Sequence, residues 1–466
     1  MRRTLIAVTA VAALAVGYGV ADAYDQVPGV LTIDEAVTQE APAQPKTTPV
    51  LPAASTDAPL PSRPGLTTAL ADDVTHPALG QRVGVVVRDA LTGDVLYARG
   101  EDRPQTPAST AKLLTAAAVS ERADLSKAMT TSVVSGEQPD ELVLVASGDT
   151  MLAPGKGDPT AVEGRAGLTD LAEEVAESLA AKGEDGRLSL RLDATYAAGE
   201  RYAPTWEMAD VAAGYTQGVA MIGLAGDRPL PGDASPKVPE RKTLKTFGAA
   251  LKKAGVDVTV DDSSRTWRTP APEGADELGA VESAPLGDVL ALALDESDNA
   301  LTENVARQAA VADGAGSSFA EVSAWVEQSL KGAGVDLTGV ELKDNSGLSN
   351  GQLVPARVIS DVMQLGITGS AQSMTTILGE LPVAGLTGTL HDRFHEADSK
   401  SAAGIARAKT GTLTGTSALA GTTTTTDGRL LTYVILADRV PSTTGTLGAR
   451  AALDRVVADL TSCGCR

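Results

Sequence analysis

Three short motifs in the chain carry the hydroxyl, amine and amide groups that nucleophilic catalysis needs. They are S-T-A-K at 109–112, S-D-N at 297–299 and K-T-G at 409–411. A serine hydroxyl is a weak nucleophile and needs a base within hydrogen-bond reach. On a helix, Ser109 and Lys112 lie on one face because they are three residues apart, so Lys112 is the candidate base for Ser109.

Lys112 can act as a base only while its amine is neutral. Burial and a nearby second cation both lower the pKa of a lysine. Two leucines and a run of alanines follow Lys112, which predicts burial, and Lys409 is the candidate second cation. Taken alone, the same stretch also fits an ordinary helix start with a lysine whose stem lies along apolar surface.

The S-D-N motif places a hydroxyl and an amide in a single turn between two helical patterns. We predict that Ser297 passes a proton to a leaving group and that Asn299 positions both a substrate amide and Lys112. The alternative is a plain helix cap, since Ser, Asp and Asn are all favoured there.

The K-T-G motif is predicted to lie on a strand that ends in a hairpin. There Lys409, Thr410 and Thr412 would place a cation and two hydroxyls beside a substrate carboxylate. Gly411 has no side chain, so a substrate backbone could approach the strand; a strand that simply ends at a glycine is the alternative. The backbone N–H groups of Ser109 and Thr412 are the candidate oxyanion donors.

Histidine is the more common base, but the histidines of this chain are poorly placed for that role. His76 lies near the start of the body, and His391 and His395 lie in a polar segment. The four-residue spacing of that pair could bind a metal, although exposed loop residues are the favoured interpretation. Cys463 and Cys465 are too few for a Cys-type zinc site and predict a disulfide in the terminal tail. We therefore expect no metal and no cofactor.

The pattern of secondary structure predicts how these motifs are positioned. A hairpin is predicted over 82–100, the first motif opens a helix, and K-T-G lies on one of the strands near the end of the chain. Strands and helices mix in the middle of the chain. The fold class is therefore α/β (α+β), with one sheet built from both ends of the chain. The predicted domains are a catalytic body over 66–128 and 280–466 and an inserted α/β domain over 129–279.

The N-terminus predicts action outside the cytoplasm. Arg2 and Arg3 precede a short apolar run that ends at "ADA", so residues 1–23 are interpreted as a signal peptide, with an uncleaved membrane anchor as the alternative. A proline-rich tether is predicted over 24–65. The net charge of −21 argues against nucleic acid as a partner, because phosphate binding requires a basic face.

Longer segments around the motifs resemble the class C (low-molecular-mass) penicillin-binding proteins. These are secreted bacterial D-alanyl-D-alanine carboxypeptidases and endopeptidases of the serine β-lactamase/penicillin-binding superfamily, in which the three motifs occur together. The resemblance covers roughly 81–438. It rests on "YARGEDRPQTPASTAKLLTAAA", "SAPLGDVLALALDESDNALTENVAR", "DNSGLSNGQLVP", "GLTGTLHDRF" and "ARAKTGTLTGTSALAG".

The resemblance implies a penicillin-binding transpeptidase fold with an antiparallel sheet flanked by helices. It further implies that the penultimate D-Ala carbonyl of a peptidoglycan stem peptide acylates Ser109, with Lys112 as base and Ser297 and Asn299 assisting. The residues that would hold the terminal carboxylate are Lys409, Thr410 and Thr412. β-Lactam antibiotics would be covalent inhibitors. About 184 residues separate Lys112 from Ser297, fewer than in family members with two extra domains, so we expect one inserted domain.

Two other functions fit the same residues less well. A β-lactamase or esterase on the same scaffold would need a base that clears the acyl-enzyme quickly, and no motif marks one. A non-catalytic wall-binding protein would have no need of the full set of reactive groups. The sequence therefore predicts a serine DD-peptidase of the cell wall, and it leaves open the balance between carboxypeptidase activity and cleavage of peptide cross-links (endopeptidase activity).

Overall fold

Two five-stranded sheets carry the architecture of the part of the chain that the structure describes. The structure is a computed structural model and describes residues 55–369, 371 and 373–464. Its strands are β1 (Val83–Asp89), β2 (Val95–Arg99), β3 (Ala128–Ser135), β4 (Glu141–Val145), β5 (Leu188–Asp193), β6 (Val258–Val260), β7 (Glu277–Pro285), β8 (Arg407–Leu413), β9 (Thr416–Thr424) and β10 (Leu430–Ala437). Its α-helices are α1 (Arg63–Leu70), α2 (Lys112–Arg122), α3 (Leu168–Lys182), α4 (Met208–Ala212), α5 (Pro239–Lys253), α6 (Leu286–Asp295), α7 (Asn299–Ala312), α8 (Phe319–Gly332), α9 (Ala356–Thr368), α10 (Ser373–Gly379) and α11 (Gly445–Ser462).

The first sheet is antiparallel and joins the two ends of the chain in the order β2-β1-β10-β9-β8. The central strands β1 and β10 are buried on both faces, which explains their largely apolar sequences. In β1, Val86 packs into a core with helices α2, α6, α7, α8 and α9. Val85 and Val87 point to the opposite face, where they share a core with α1 and α11. This arrangement confirms the predicted antiparallel sheet flanked by helices.

The second sheet has the order β6-β5-β4-β3-β7 and mixes both directions. Strands β4, β5 and β6 are parallel, with α3 and α5 as the intervening helices, whereas β3 is antiparallel to β4 and to β7. A separate hydrophobic core lies on this sheet. We propose that the sheet and its helices are the inserted α/β domain. The described residues belong to one compact unit, and the boundaries 129–279 stay a prediction.

The structure differs from the predicted tether at residues 63–65, where a helix begins; residues 55–62 lie in no helix or strand. Helix α1 begins at Arg63, with Pro64 in its first turn and the Ser62 hydroxyl accepting a hydrogen bond from Gly65 N at 3.1 Å. Proline suits a first helical turn because the N–H it lacks would have no intrahelical partner. The rest of the predicted tether and the predicted signal segment lie outside the described residues. Within the described residues, no helix has the length and apolar character to cross a membrane.

Candidate active site

The first motif forms a tight turn at the start of helix α2. Residues Ala108–Ala111 form a 3-10 turn, and the α-helix begins at Lys112. The predicted pairing is present, because Lys112 Nζ lies 3.0 Å from Ser109 Oγ. Ala108 has a φ of +47°, a left-handed conformation that is rare outside glycine. The strain therefore lies directly beside the candidate nucleophile.

Lys112 is fully buried and is surrounded by oxygen atoms. Besides Ser109, its Nζ donates to Asn299 Oδ1 at 2.5 Å and to the backbone carbonyl of Ser346 at 2.7 Å. Burial lowers the pKa of Lys112 to about 8, although the carboxylates of Asp344, Asp298 and Glu303 act in the opposite direction. The sequence predicted that Lys409, as a second cation, would lower the pKa of Lys112. The structure attributes the lowered pKa to burial and not to Lys409.

The second motif lies at the break between α6 and α7. Asp298 caps α7, since its Oδ1 accepts from Leu301 N at 2.9 Å. Asn299 uses both ends of its amide: Oδ1 accepts from Lys112, and Nδ2 donates to the carbonyl of Tyr215 at 2.7 Å. The helix cap and the contact with Lys112 therefore coexist, on different residues of the motif.

Ser297 precedes that cap in a strained conformation and meets the third motif. Its φ is +60°, and its Oγ accepts from Lys409 Nζ at 2.8 Å. Lys409 is fully buried and also donates to Thr410 O at 3.0 Å. Burial, with the charge of Lys112, holds the pKa of Lys409 well below its usual value, against the opposing effect of Asp295.

The remaining K-T-G residues lie on β8, which is the edge strand of the first sheet. Thr410 Oγ1 donates to Thr389 Oγ1 at 3.0 Å, and Thr412 Oγ1 accepts from Arg450 at 3.3 Å. A Cβ on Gly411 would lie 2.8 Å from the carbonyl oxygen of Pro107. Gly411 is therefore explained by packing against the turn that carries the nucleophile, and the approach of a substrate backbone to it stays a prediction.

Motif reasoning assigned no role to the loop over 344–352, in which the carbonyl of Ser346 accepts a hydrogen bond from Lys112. Asp344 accepts four hydrogen bonds from the backbone and side chains of this loop, from Ser346 N, Gly347 N, Ser349 N and Gln352 Nε2. Glu303 holds the same loop through Asn345, whose N and Nδ2 donate to its two oxygens at 2.8 Å each. Burial raises the pKa of Glu303 to about 7, and the charge of Asp344 adds to the effect.

The three histidines lie apart from these groups. His391 Nδ1 lies 2.9 Å from Gly388 O, and His395 Nε2 lies 3.0 Å from His391 O, so both rings contact backbone of their own loop. The His76 ring accepts from Ala78 N at 3.2 Å. Cys463 is buried at the end of α11 and is not a free thiol, while Cys465 lies outside the described residues.

Comparison with known proteins identifies the family. The model of the D-Ala-D-Ala carboxypeptidase 3 (S13) family matches residues 66–230 and 229–460, which is most of the chain. The chain belongs to this family. It is a serine-type D-Ala-D-Ala carboxypeptidase, as the motif combination predicted, and the S13 match spans all three motifs.

Relatives and solved structures agree with that assignment. Carboxypeptidase DacB of Mycolicibacterium smegmatis is 35% identical over 412 residues, covering 88% of this chain and 86% of that protein. The D-alanyl-D-alanine carboxypeptidase of an Actinomadura species is 32% identical, covering 79% and 81%. Penicillin binding protein 4 (dacB) of Haemophilus influenzae has a TM-score of 0.62 at 19% identity, covering 86% of this chain and 98% of its own. At that identity the match shows the fold, and it confirms the predicted penicillin-binding fold.

Proposed function

We propose that this S13 peptidase cleaves the D-Ala-D-Ala bond of peptidoglycan stem peptides through an acyl-enzyme on Ser109. The observation that carries the proposal is the pair of contacts Lys112 Nζ–Ser109 Oγ, at 3.0 Å, and Lys409 Nζ–Ser297 Oγ, at 2.8 Å. Each candidate hydroxyl therefore has a buried amine within hydrogen-bond reach, which is the arrangement that activates a serine.

The partners of Lys112 suit it to the role of base. A neutral amine has two N–H donors and one lone pair. Asn299 Oδ1 and Ser346 O accept hydrogen bonds, so they take the two donors. The lone pair is then left for the Ser109 hydroxyl. Ser109 can transfer its proton to Lys112 without any rearrangement of the other two contacts.

The reaction then proceeds in two steps with balanced protons. Ser109 Oγ attacks the carbonyl carbon of the penultimate D-Ala while its proton moves to Lys112. The C–N bond breaks, and the leaving amine takes a proton through Ser297, which lies against Lys409; this is the proton that Lys112 took from Ser109, so Lys112 is neutral again. In the second step Lys112 takes a proton from water as the hydroxyl attacks the ester carbonyl, and it returns that proton to Ser109 Oγ when the C–O bond breaks. Backbone N–H groups of Ser109 and Thr412 are proposed as the oxyanion donors.

Lys409, Thr410 and Thr412 are proposed to hold the terminal carboxylate of the substrate. Burial disfavours the charged form of Lys409, and an anion beside the amine would favour it again. β8 is the edge strand of its sheet, so a peptide can add to it as a further strand. Cleavage of peptide cross-links would use the same groups and is proposed as a second activity.

The proposed site of action is outside the cytoplasm, with the body either secreted or anchored to the outer face of the membrane. β-Lactams are proposed as covalent inhibitors, because they would acylate the same serine. The Haemophilus influenzae protein has also been solved as a complex with a novel β-lactam. A β-lactamase or esterase on this scaffold and a non-catalytic wall-binding protein are the alternatives that the following experiment separates.

The test is incubation with fluorescent penicillin followed by intact mass measurement. A stable adduct in the natural protein that is absent in Ser109→Ala supports the peptidase. Rapid turnover of the drug would instead indicate a β-lactamase. If the natural protein forms no adduct and releases no D-Ala from a stem pentapeptide, the catalytic proposal is refuted.

Lys409→Ala tests the carboxylate-binding role separately. We expect this variant to lose activity on a thioester with a free terminal carboxylate about 100-fold more than on the same thioester with that carboxylate blocked, because a hydrogen bond to a charged group is worth about 1.5–3 kcal/mol. The measurement is kcat/KM on these two thioesters, which share one leaving group and so need the same proton transfer. Equal losses on both substrates would contradict the assignment.

A further inference from the structure

A cleft lined with arginines opens at the second sheet, away from the three motifs. It encloses about 650 Å³, a size typical of small-molecule sites. It lies beyond the carboxyl ends of the parallel strands β5 and β6, where open α/β sheets bind their ligands. Its charged and aromatic lining consists of Arg201, Arg241, Arg268, Arg307, Trp267 and Glu240.

Arg307 is the innermost cation of the cleft. It is 2% exposed, and no carboxylate among the described residues lies within 4.0 Å of its guanidinium. It donates one hydrogen bond, from Nη2 to the carbonyl of Glu200 at 2.7 Å, and lies 5.1 Å from the ring centroid of Phe319. A buried guanidinium without a carboxylate partner carries a desolvation cost that a bound anion offsets. Burial also lowers the pKa of Arg307, despite longer-range attraction from Glu303 and Glu200.

The other lining residues add positive charge that is only partly balanced. Arg201 pairs with Glu240 at 2.7 Å, and Glu240 is the only carboxylate among the lining residues. Arg241 lies 5.5 Å from the ring centroid of Trp267 and pairs with Asp262 at 3.7 Å, outside the lining. Arg268 is exposed and forms no ion pair with the described residues. This cluster of cations stands out in a chain whose net charge is −21.

Helix α5 begins beside the same cleft, with Pro239 as its first residue. Val238 and Arg241 border the cleft, and α5 is a helix of 15 residues whose N-terminus has no side-chain cap. Unsatisfied N–H groups and the helix dipole favour an anion at such an end. The helix end supports the arginines in attracting the same kind of group.

We propose that this cleft binds a ligand that carries an oxyanion, either a carboxylate or a phosphate group. Both groups accept paired hydrogen bonds from guanidinium. The cleft is separate from the catalytic groups, since none of the residues of the three motifs lines it. Arg307 lies eight residues after Asn299 on α7, which corresponds to about 12 Å along the helix. The proposal therefore does not depend on the proposed catalytic mechanism.

Calorimetric titration of the protein with three matched sugars tests the proposal. Glucose 6-phosphate carries a phosphate, glucuronate carries a carboxylate, and glucose carries neither. We expect saturable binding of at least one of the two anions, no binding of glucose, and weaker binding at higher salt. Whichever anion binds more tightly identifies the chemical source of the oxyanion. Absence of binding by both anions would overturn the proposal.

Two exposed arginines one helical turn apart supply a matched pair of variants. Arg268 lines the cleft and Arg265 does not, although both are exposed. Arg268→Gln should weaken anion binding about tenfold, the effect of losing about 1.4 kcal/mol, while Arg265→Gln should change it less than twofold. Arg307→Met should abolish binding, with its unfolding temperature measured alongside. Equal weakening by the Arg268 and Arg265 variants would show a general surface-charge effect and refute the site. Binding should persist in protein whose Ser109 is blocked by penicillin.

Discussion

At the residue scale, the buried charges around Lys112 determine its protonation state. Burial disfavours the ammonium form, whereas the carboxylates of Asp344, Asp298 and Glu303 favour it. The result is a pKa of about 8, low for a lysine and close to the range in which a general base works well. Lys112 is then mostly charged at pH 7 and mostly neutral at pH 9.

The first prediction is a pH dependence of acylation. Only neutral Lys112 can take the Ser109 proton, so the acylation rate should rise with pH through about 8 and level off above it. Stopped-flow measurement with fluorescent penicillin between pH 6 and pH 10 checks this. Lys112→Arg keeps the charge but offers no base, and it should acylate at least about 1,000-fold more slowly. A rate that falls across this range would contradict the assignment of Lys112 as base.

The second prediction concerns Glu303 as a positioning residue. Its charge raises the pKa of Lys112, so Glu303→Gln should move the midpoint of the acylation profile to lower pH. The maximal rate should also fall several-fold, because a glutamine amide cannot accept from both donors of Asn345.

Glu327→Gln is the control for that experiment. Glu327 is also a loop-contacting glutamate, 3.4 Å from Leu342 N, but it is not among the causes that shift the pKa of Lys112. The midpoint of the acylation pH profile of Glu327→Gln should equal that of the natural protein. A Glu303 variant whose rate falls without any shift of the midpoint would have a structural role alone.

The candidate site could be predicted from sequence only where function depends on side-chain type and spacing. Ser109, Lys112 and Asn299 were found in this way. Ser346 was missed because it contributes a backbone carbonyl, which any residue type supplies. Glu303 had a usable signal, since it follows Asn299 by four residues on one helix and so shares its face.

At the element scale, the turn that carries Ser109 is held between a loop and a strand. A Cβ on Gly347 would lie 2.0 Å from the carbonyl oxygen of Ala108, and one on Gly411 would lie 2.8 Å from that of Pro107. Both glycines therefore allow backbone to approach the strained turn. The position of the nucleophile depends on elements that lie about 240 and 300 residues further along the chain.

The third prediction follows from this close contact. Gly347→Ala should destabilise the protein and slow acylation, because the new methyl group displaces the Ala108 backbone next to Ser109. Gly351→Ala is the matched control: its φ of +80° resembles the +86° of Gly347, but a Cβ there meets nothing within 4 Å. The control carries only the cost of a left-handed conformation, about 1–2 kcal/mol. Urea unfolding and acylation rates measure both effects, and equal behaviour of the two variants would contradict the contact.

Elements with clear periodicity or turn chemistry were predictable, and others were not. The hairpin of β1 and β2 lies close to its predicted range of 82–100. Helix α8 was missed despite its capping box, in which Ser318 and Glu321 bond each other's backbone. The prolines predicted a tether up to residue 65, but helix α1 begins at Arg63, where Leu66 and Leu70 are buried in the core.

At the scale of the whole molecule, one buried ion pair connects the residues that precede α1 with the first sheet. Arg429 precedes β10 and pairs with Asp89 at the end of β1, with side chains 5% and 0% exposed. Its Nη1 also donates to the carbonyl of Thr56 at 2.7 Å. The pair therefore connects strands from both ends of the chain with the residues that precede α1.

The fourth prediction is a large loss of stability in Asp89→Asn. Removing one partner leaves a buried guanidinium without its counter-ion, which typically costs about 3–5 kcal/mol. Glu173→Gln, in the exposed pair with Lys156, should change the free energy of unfolding too little to measure. Urea unfolding at pH 7 measures the free energy of unfolding of both variants. Similar losses would show that the buried pair stabilises the fold no more than the exposed pair does.

The same pair predicts how the difference between natural protein and variant depends on pH. Burial acts to raise the pKa of Asp89, but the hydrogen bonds and charge of its partners, chiefly Arg429, hold that pKa below its usual value, so the charged carboxylate is favoured in the folded state. A carboxyl with a lowered folded pKa contributes its full stability above its unfolded pKa, about 3.9, and loses it as pH falls through the folded pKa. The asparagine side chain of the variant cannot titrate. The difference in unfolding free energy between natural protein and Asp89→Asn should therefore be constant from pH 8 to pH 5 and become smaller below about pH 4. A gap that widened in acid would mean that the carboxylate is not stabilised by Arg429.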